Sequence, residues 1–287
     1  MTIIIISLLL LVSLVPDLTF TGETDYTNDD FGIKILAFNV QSNLTTNYFY
    51  LLTPMLSAGV GIEDGTEAKP HSRPYMVSLQ KKGWHSCGGF LITEQFVLTA
   101  AHCWKKGDVI TVVVGAHDLS ENEIYNSFKV TSYIPHEDYK LNSDRNDIML
   151  LKLNKKVRLS KNVGLISLPK KGEDVKADTV CSITGWGRLW RKGAKTDRLR
   201  EAETVIMNDA ECERRWESDY VASKMICAYG HGGTCSGDSG GPLVCGDTAV
   251  GITSFSDRYL CKSRLLPDVY TRISAFLPWI HNITGNV

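Results

Sequence analysis

No C-x-x-C pair occurs among the eight cysteines, Cys87, Cys103, Cys181, Cys212, Cys227, Cys235, Cys245 and Cys261. The chain therefore lacks the closely spaced ligand pairs with which structural zinc sites begin, and no metal or other cofactor is expected. Neither sign of charge dominates: 31 Lys and Arg face 32 Asp and Glu, so no global attraction to nucleic acid or to an acidic partner follows. No repeat of 20–50 residues and no low-complexity tract is present, which excludes solenoids and fibrous arrays. The apolar run Ile3–Val15 falls short of the roughly 20 residues that span a bilayer. It has the length of a secretory h-region, although no Lys or Arg precedes it and no clear A-x-A site follows it. Helical periodicity is nearly absent as well, and only ISAFLPWIHNI near the C-terminus spaces its apolar residues for a helix.

With 287 residues, 43% apolar and 22% charged, the chain can bury a full core. An even cysteine count without zinc spacing fits disulfides formed in an oxidising compartment, with about 105 possible pairings that spacing alone cannot choose among. Residues 17–47 are rich in Asp, Thr and Asn, contain one short strand-like run, IKILAFNV, and are expected to be poorly ordered. A second apolar patch, YFYLLTPMLSAGV, precedes the globular sequence. Residues 1–61 thus read as a signal or leader with a propeptide, largely disordered. From Tyr75 onward, short apolar runs recur between Gly-, Asn-, Asp- and Lys-rich turns: YMVSL, GFLI, FVLTA, VITVVV, FKVTSYI, DIMLLKL, TVCSITGW, EAETVIM, PLVC, AVGITSF and PDVYTRI. That pattern predicts an antiparallel all-β sandwich or barrel.

A serine hydroxyl is a weak nucleophile at neutral pH and needs a base in hydrogen-bond reach and donors awaiting the oxyanion. In GDSGGP, glycines on both sides of Asp238 and Ser239 let the backbone bring the amides of Gly237 and Ser239 to one point. Seven histidines could supply the base, most of them expected on the surface. His102 stands apart in LTAAHC, after a buried strand and beside Cys103. Asp147 in RNDIMLLKL lies at the mouth of an apolar strand, a costly place for a carboxylate without a partner.

LTAAHC, NDIMLL and GDSGGPL, in that order, resemble the chymotrypsin-fold serine endopeptidases, and GTEAKPHSRPYMVSLQ at 65–80 resembles their granule-stored branch of granzymes, mast-cell proteases and duodenase-like enzymes. The likeness runs from Ile62 to about Asn282. It implies two six-stranded antiparallel β-barrels, about 62–165 and 166–272, followed by a helix at 273–284. It implies Ser239 as nucleophile, His102 as base and then acid, Asp147 as orienter of His102, and Ser254 as a donor to Asp147. The pairings it implies are Cys87–Cys103, Cys181–Cys245, Cys212–Cys227 and Cys235–Cys261.

The resemblance also implies a zymogen, in which cleavage frees Ile62 and its new ammonium pairs with Asp238. Glu63 departs from the family's usual apolar second residue. With Gly61 before the cut and neither Lys nor Arg nearby, removal of Val60–Gly61 by a dipeptidyl peptidase fits better than a trypsin-like activator. Relatives that cut after Lys or Arg usually carry an aspartate where this chain has Gly233. On the opposite wall Asp268, in PDVY, replaces the usual glycine, and such an acid should draw a cation or a hydrogen-bonded water. Lys or Arg, alongside large aromatic residues, is expected before the scissile bond; if Asp268 turns away, the pocket is simply chymotryptic. Ser256 is expected to tighten its mouth.

Residues 62–287 hold 30 basic and 27 acidic residues, a net charge of +3, and RLWRKGAKTDRLR concentrates the positive charge where a sulfated proteoglycan could bind. The other partners expected are protein or peptide substrates and serpin-type inhibitors, for a monomer that is secreted or stored in granules and binds no nucleic acid. Asn43 and Asn282 lie in glycosylation sequons, Asn282 within the mature segment. Ala116 stands where calcium-binding relatives place a first carboxylate, so no calcium is expected. The rival reading is an inactive homologue that kept the fold as a binding protein.

Overall fold

The computed structural model describes residues 19–28, 33–42, 45–54, 62, 64–121, 126–141, 143–230, 232–263 and 265–285. The apolar run at 3–15, Asn43, Gly61 and Glu63 lie outside them. The chain divides into two units, Met1–Ala58 and Gly59–Val287. In the first, a three-stranded antiparallel meander occupies much of the stretch expected to be poorly ordered: β1 (Thr19–Asn28), β2 (Ile33–Ser42) and β3 (Thr45–Pro54) pair in chain order. IKILAFNV lies in its central strand, paired on both sides.

The second unit consists of two closed six-stranded antiparallel barrels. The first is built from β5 (Met76–Lys81), β6 (Trp84–Leu91), β7 (Phe96–Thr99), β8 (Ile110–Val114), β9 (Ser127–Pro135) and β10 (Met149–Leu153), closing in the order β10-β7-β6-β5-β8-β9. The second is built from β11 (Val180–Gly185), β12 (Arg200–Ile206), β13 (Met225–Gly230), β14 (Pro242–Cys245), β15 (Thr248–Phe255) and β16 (Asp268–Arg272), and the β11–β12 pairing closes it. A two-residue strand, β4 (Thr66–Glu67), joins β12 from outside the ring. The segment after Ile62 therefore belongs to the second barrel although it precedes the first in sequence. Among the described residues no helix is long and apolar enough to cross a membrane.

The apolar runs become strands because the barrels bury them: Val97, Leu98, Met149, Leu150 and Leu151 are all fully enclosed, and such burial contributes about 1.5–3 kcal/mol for each large side chain. In the second unit β4, β13 and a helix escaped the sequence reading. β13, MICAYG, holds Cys227 between Met225 and Tyr229. Helix α1 (Asp209–Trp216) buries only Cys212, so it shows no apolar period. Its start was legible in its capping: Asn208 accepts the Glu211 amide at 2.8 Å, the side-chain cap of an Asn-x-x-Glu sequence. The C-terminal segment begins as a 3-10 turn, Ile273–Phe276, and continues as α2 (Leu277–Thr284) with Pro278 in its first turn.

Four disulfides join Cys87 to Cys103, Cys181 to Cys245, Cys212 to Cys227 and Cys235 to Cys261. Closing loops of 15 to 64 residues restricts the unfolded chain, by about 3–4 kcal/mol each in the loop-entropy account.

Candidate active site

Asp147 ends the turn that leads into β10, and its side chain is 1% exposed. Burial alone would push its proton affinity up, yet its carboxyl is held below the ordinary range, because His102 opposes it with charge and hydrogen bonds and Ser254 donates as well. Oδ1 accepts the His102 backbone amide at 2.9 Å. Oδ2 accepts His102 Nδ1 at 2.7 Å and the Ser254 hydroxyl at 2.6 Å. Thr271 of β16 donates to the Asp147 carbonyl at 2.8 Å. A residue of the first barrel is thus pinned by two hydroxyls of the second. Asn146 before it takes a left-handed conformation, φ 55°, which asparagine tolerates better than most residues, and Lys224 Nζ holds its side chain at 2.6 Å.

His102 lies in a single 3-10 turn, Ala101–Cys103, closed on one side by the Cys87–Cys103 disulfide. Burial disfavours its charged form, but the Asp147 charge and hydrogen bond prevail and hold the imidazole above the usual histidine value. With Nδ1–H committed to Asp147, Nε2 keeps the lone pair. Although Cys87, His102 and Cys103 lie close together, the two sulfurs are bonded to each other and present no thiolate to a metal.

Ser239 sits in a tight turn between the barrels. Its carbonyl accepts the Gly88 amide at 2.8 Å, Gly240 N donates to Thr253 O at 2.8 Å, and Gly241 N to Asp238 O at 3.0 Å. The Cys103 sulfur lies 3.7 Å from the Ser239 carbonyl and 4.0 Å from His102 Nε2, so hydroxyl-bearing turn and imidazole flank the same disulfide. Among the described residues no direct hydrogen bond joins His102 to Ser239. Gly237 has φ 110°, and a Cβ there would also meet the Gly187 Cα at 2.9 Å; both facts require glycine at this point of the loop.

Asp238, 1% exposed, accepts Gly187 N at 2.8 Å and Cys235 N at 2.9 Å. Burial outweighs these two donors and pushes its carboxyl up to about 7. Ile62 is fully enclosed in the second barrel's core with Ile183, Ile226 and Tyr270. His85 is not among the histidines at the surface: it is buried between the Ser78 hydroxyl, 2.8 Å from Nδ1, and the Gly237 carbonyl, 2.9 Å from Nε2. Burial drives its pKa down to about 4, the Gly237 carbonyl opposing and Lys195 adding to the fall. Its neutral ring therefore braces Gly237 at physiological pH.

Gly233 and Asp268 line one cavity of about 280 Å³ together with Tyr229 and Lys262; Ser256 does not line it. The Asp268 carboxylate is anchored in that cavity by Thr234. Its Oδ2 accepts the Thr234 amide at 2.7 Å and the Thr234 hydroxyl at 2.9 Å. The residue after Gly233 carried this partnership, and the hydroxyl of Thr234 was its signal. A Cβ on Gly233 would strike the Cys261 carbonyl. The basic run at 188–200 is partly committed too: Arg200 donates to Gly65 O at 2.7 Å, Lys195 to His85 O at 2.5 Å, and Arg198 pairs with Glu67 and Asp118. Asn282 is exposed on α2, and Ala116 is buried.

Two barrels meeting at a buried aspartate, a half-buried histidine paired with it and a glycine-flanked serine turn are the frame of a known protease architecture, and the sequence pattern described as Trypsin matches residues 62–280. The chain belongs to the trypsin family. It is similar to duodenase-1 of Bos taurus, 45% identical over 81% of this chain and 92% of that one, and to cathepsin G of Homo sapiens, 41% identical over 80% and 90%. Among solved structures, neuropsin, a serine protease expressed in the limbic system of mouse brain, superposes with a TM-score of 0.72 at 32% identity, covering 77% of this chain and 99% of that one. This trypsin-family chain is a serine endopeptidase whose relatives are granule-associated proteases.

Proposed function

We propose that this endopeptidase is made as a zymogen, secreted or stored in granules, and cleaves peptide bonds through an acyl-enzyme on Ser239. The observation that carries this reading is the continuous hydrogen-bonded chain from Ser254 through Asp147 to His102 Nδ1, which leaves Nε2 as the only basic position on the ring. His102 Nε2 takes the Ser239 proton as Oγ attacks the substrate carbonyl, and the amides of Gly237 and Ser239 receive the oxyanion. The same proton passes to the departing amine as the peptide bond breaks. Water then repeats the sequence against the ester, releasing the acid and restoring Ser239.

Activation frees Ile62, whose ammonium pairs with Asp238. The enclosed Ile62 and the fully buried, high-pKa Asp238 support this, since a carboxylate so placed gains most from an incoming cation. Removal of Val60–Gly61 by a dipeptidyl peptidase is the route proposed. Asp268 directs the pocket toward Lys, Arg and large aromatic side chains, with Thr234 holding its carboxylate in place. Exposed Arg191 and Lys192 remain for sulfated proteoglycan, and serpin-type inhibitors and a glycan on Asn282 complete the reading.

The test is hydrolysis of a peptide library by the chain beginning at Ile62, beside its Ser239→Ala variant. Cleavage after Lys, Arg or aromatic residues that Ser239→Ala abolishes supports the reading; cleavage only after small aliphatic residues refutes the specificity, and cleavage that survives Ser239→Ala refutes the mechanism. The second reading, an inactive homologue that binds partners, is favoured only by the lack of a direct His102–Ser239 bond among the described residues. It predicts no cleavage from a chain shown to begin at Ile62.

A further inference from the structure

Asp147 stands at the tip of a very tight turn. Ile148 N donates to the Asn146 carbonyl at 2.8 Å, which makes Asp147 the central residue of a three-residue turn. Any rotation of the Asn146 peptide therefore swings the Asp147 carboxylate, and with it the two hydrogen bonds to His102. Asn146 itself is left-handed at φ 55°, a conformation that a residue with a side chain keeps only where its surroundings impose it.

The imposing group is Lys224. Its Nζ donates to Asn146 Oδ1 at 2.6 Å, across 78 positions of sequence and from the second barrel to the first. An ammonium only donates, so the carboxamide oxygen faces it, and the amide Nδ2 of Asn146 then donates to the Asp138 carbonyl at 3.3 Å. Both ends of the Asn146 side chain are thus engaged. Lys224 is half-buried, and its Nζ also lies 5.4 Å from the centre of the Phe276 ring, an electrostatic seat for a cation. Its backbone is fixed as well: its carbonyl accepts Arg272 N at 2.8 Å and its amide donates to Val221 O at 2.9 Å. It immediately precedes β13, which pairs with β16 through Met225 and Thr271, and the Thr271 hydroxyl holds the Asp147 carbonyl. Neighbouring strands of the second barrel therefore grip residues 146 and 147 of the first at two points.

We propose that Lys224 is a positioning residue for the catalytic acid: its ammonium, seated between the Phe276 ring and the Asn146 carboxamide, fixes the turn that aims Asp147 at His102. The inference rests on the roles of Ser239, His102 and Asp147 proposed above. A methionine at position 224 keeps the packing on Phe276 and loses the charge and the donor. What goes with them is alignment of Asp147, and the chemical step is more sensitive to alignment at the reacting centre than substrate binding is.

Kinetics and proton NMR of the full chain processed to begin at Ile62 test this. Lys224→Met is expected to lower kcat about tenfold with KM within about twofold. It is also expected to broaden the low-field proton line of the His102 Nδ1–H bond to Asp147, and to leave the thermal midpoint within about 2 °C. Asn146→Gly accommodates the left-handed turn but removes the anchor, so it lowers kcat by a similar factor, and adding Lys224→Met to it has no further effect. An unchanged kcat and proton line in Lys224→Met overturn the proposal, as do losses from the two substitutions that multiply in the double variant. A wild-type chain without Ser239-dependent cleavage refutes the reading above instead, and the proton line, which needs no turnover, still decides whether Lys224 holds the turn.

Discussion

Ser254 Oγ donates to Asp147 Oδ2 at 2.6 Å, across 107 positions of sequence and from the second barrel to the first. The carboxylate that orients His102 therefore depends on the barrels' seating as much as on its own strand. A hydrogen bond to a charged group contributes about 1.5–3 kcal/mol. Ser254→Ala is expected to lower kcat/KM by about 10- to 100-fold, mostly in kcat, while peptide binding and the thermal midpoint change little. Steady-state kinetics on one peptide substrate checks this.

His102 is held above the ordinary histidine value because Asp147 outweighs the cost of burial. The proposed mechanism requires neutral Nε2, so kcat/KM is expected to rise with pH and level off above an inflection higher than about 6.5. Asp147→Asn removes the charge and reverses the tautomer preference, lowering kcat by about four orders of magnitude and moving the inflection down. A pH–rate profile of both proteins gives the answer.

In the uncut chain Asp238 has a folded pKa of about 7 against about 3.9 unfolded. The folded state thus keeps a proton that the unfolded state releases between those values. Stability is fullest below about pH 4 and falls as pH rises toward 7. Asp238→Asn flattens that decline. If Ile62 is freed as proposed, its ammonium favours the charged carboxylate, so the cut chain is expected to keep its thermal midpoint across the same window. Calorimetric scans of cut and uncut chains from pH 4 to 8 distinguish the two.

Gly233→Asp copies the aspartate of Lys- and Arg-cutting relatives, but it does not produce their specificity here. The new Cβ strikes the Cys261 carbonyl, and the new carboxylate adds to the charge of Asp268 in the same cavity. The expected outcome is lower kcat/KM on all substrates and a lower thermal midpoint. Asp268→Asn instead lowers cleavage after Lys and Arg by tenfold or more and spares aromatic substrates. Parallel assays on Lys, Arg and Phe peptides separate these effects.

The parts of the fold legible in the sequence were those where side-chain pattern and local chemistry coincide. Runs such as VITVVV and DIMLLKL announce strands because most of their side chains are buried, and GDSGGP announces a turn because Gly237 needs φ 110°. Asp147 was conspicuous as a charge beside Ile148, Met149 and Leu150. Helix α1 was not, because one cysteine is its whole buried face. The meander at 19–54 was missed because polar Thr- and Asn-rich strands resemble loops until a partner strand pairs with them. Thr234 on Asp268, Ser78 on His85 and Glu67 on His117 were also hidden. Each pairing joins short polar residues whose meeting depends on tertiary closure of a barrel or loop, and no local period encodes it.

The most direct measurement is mass-spectrometric mapping of a fluorophosphonate adduct on the chain whose amino terminus is verified as Ile62. The account predicts one adduct, on Ser239, formed at a rate that falls steeply in His102→Ala. A verified chain that takes no label, or that takes it on another serine, contradicts the account.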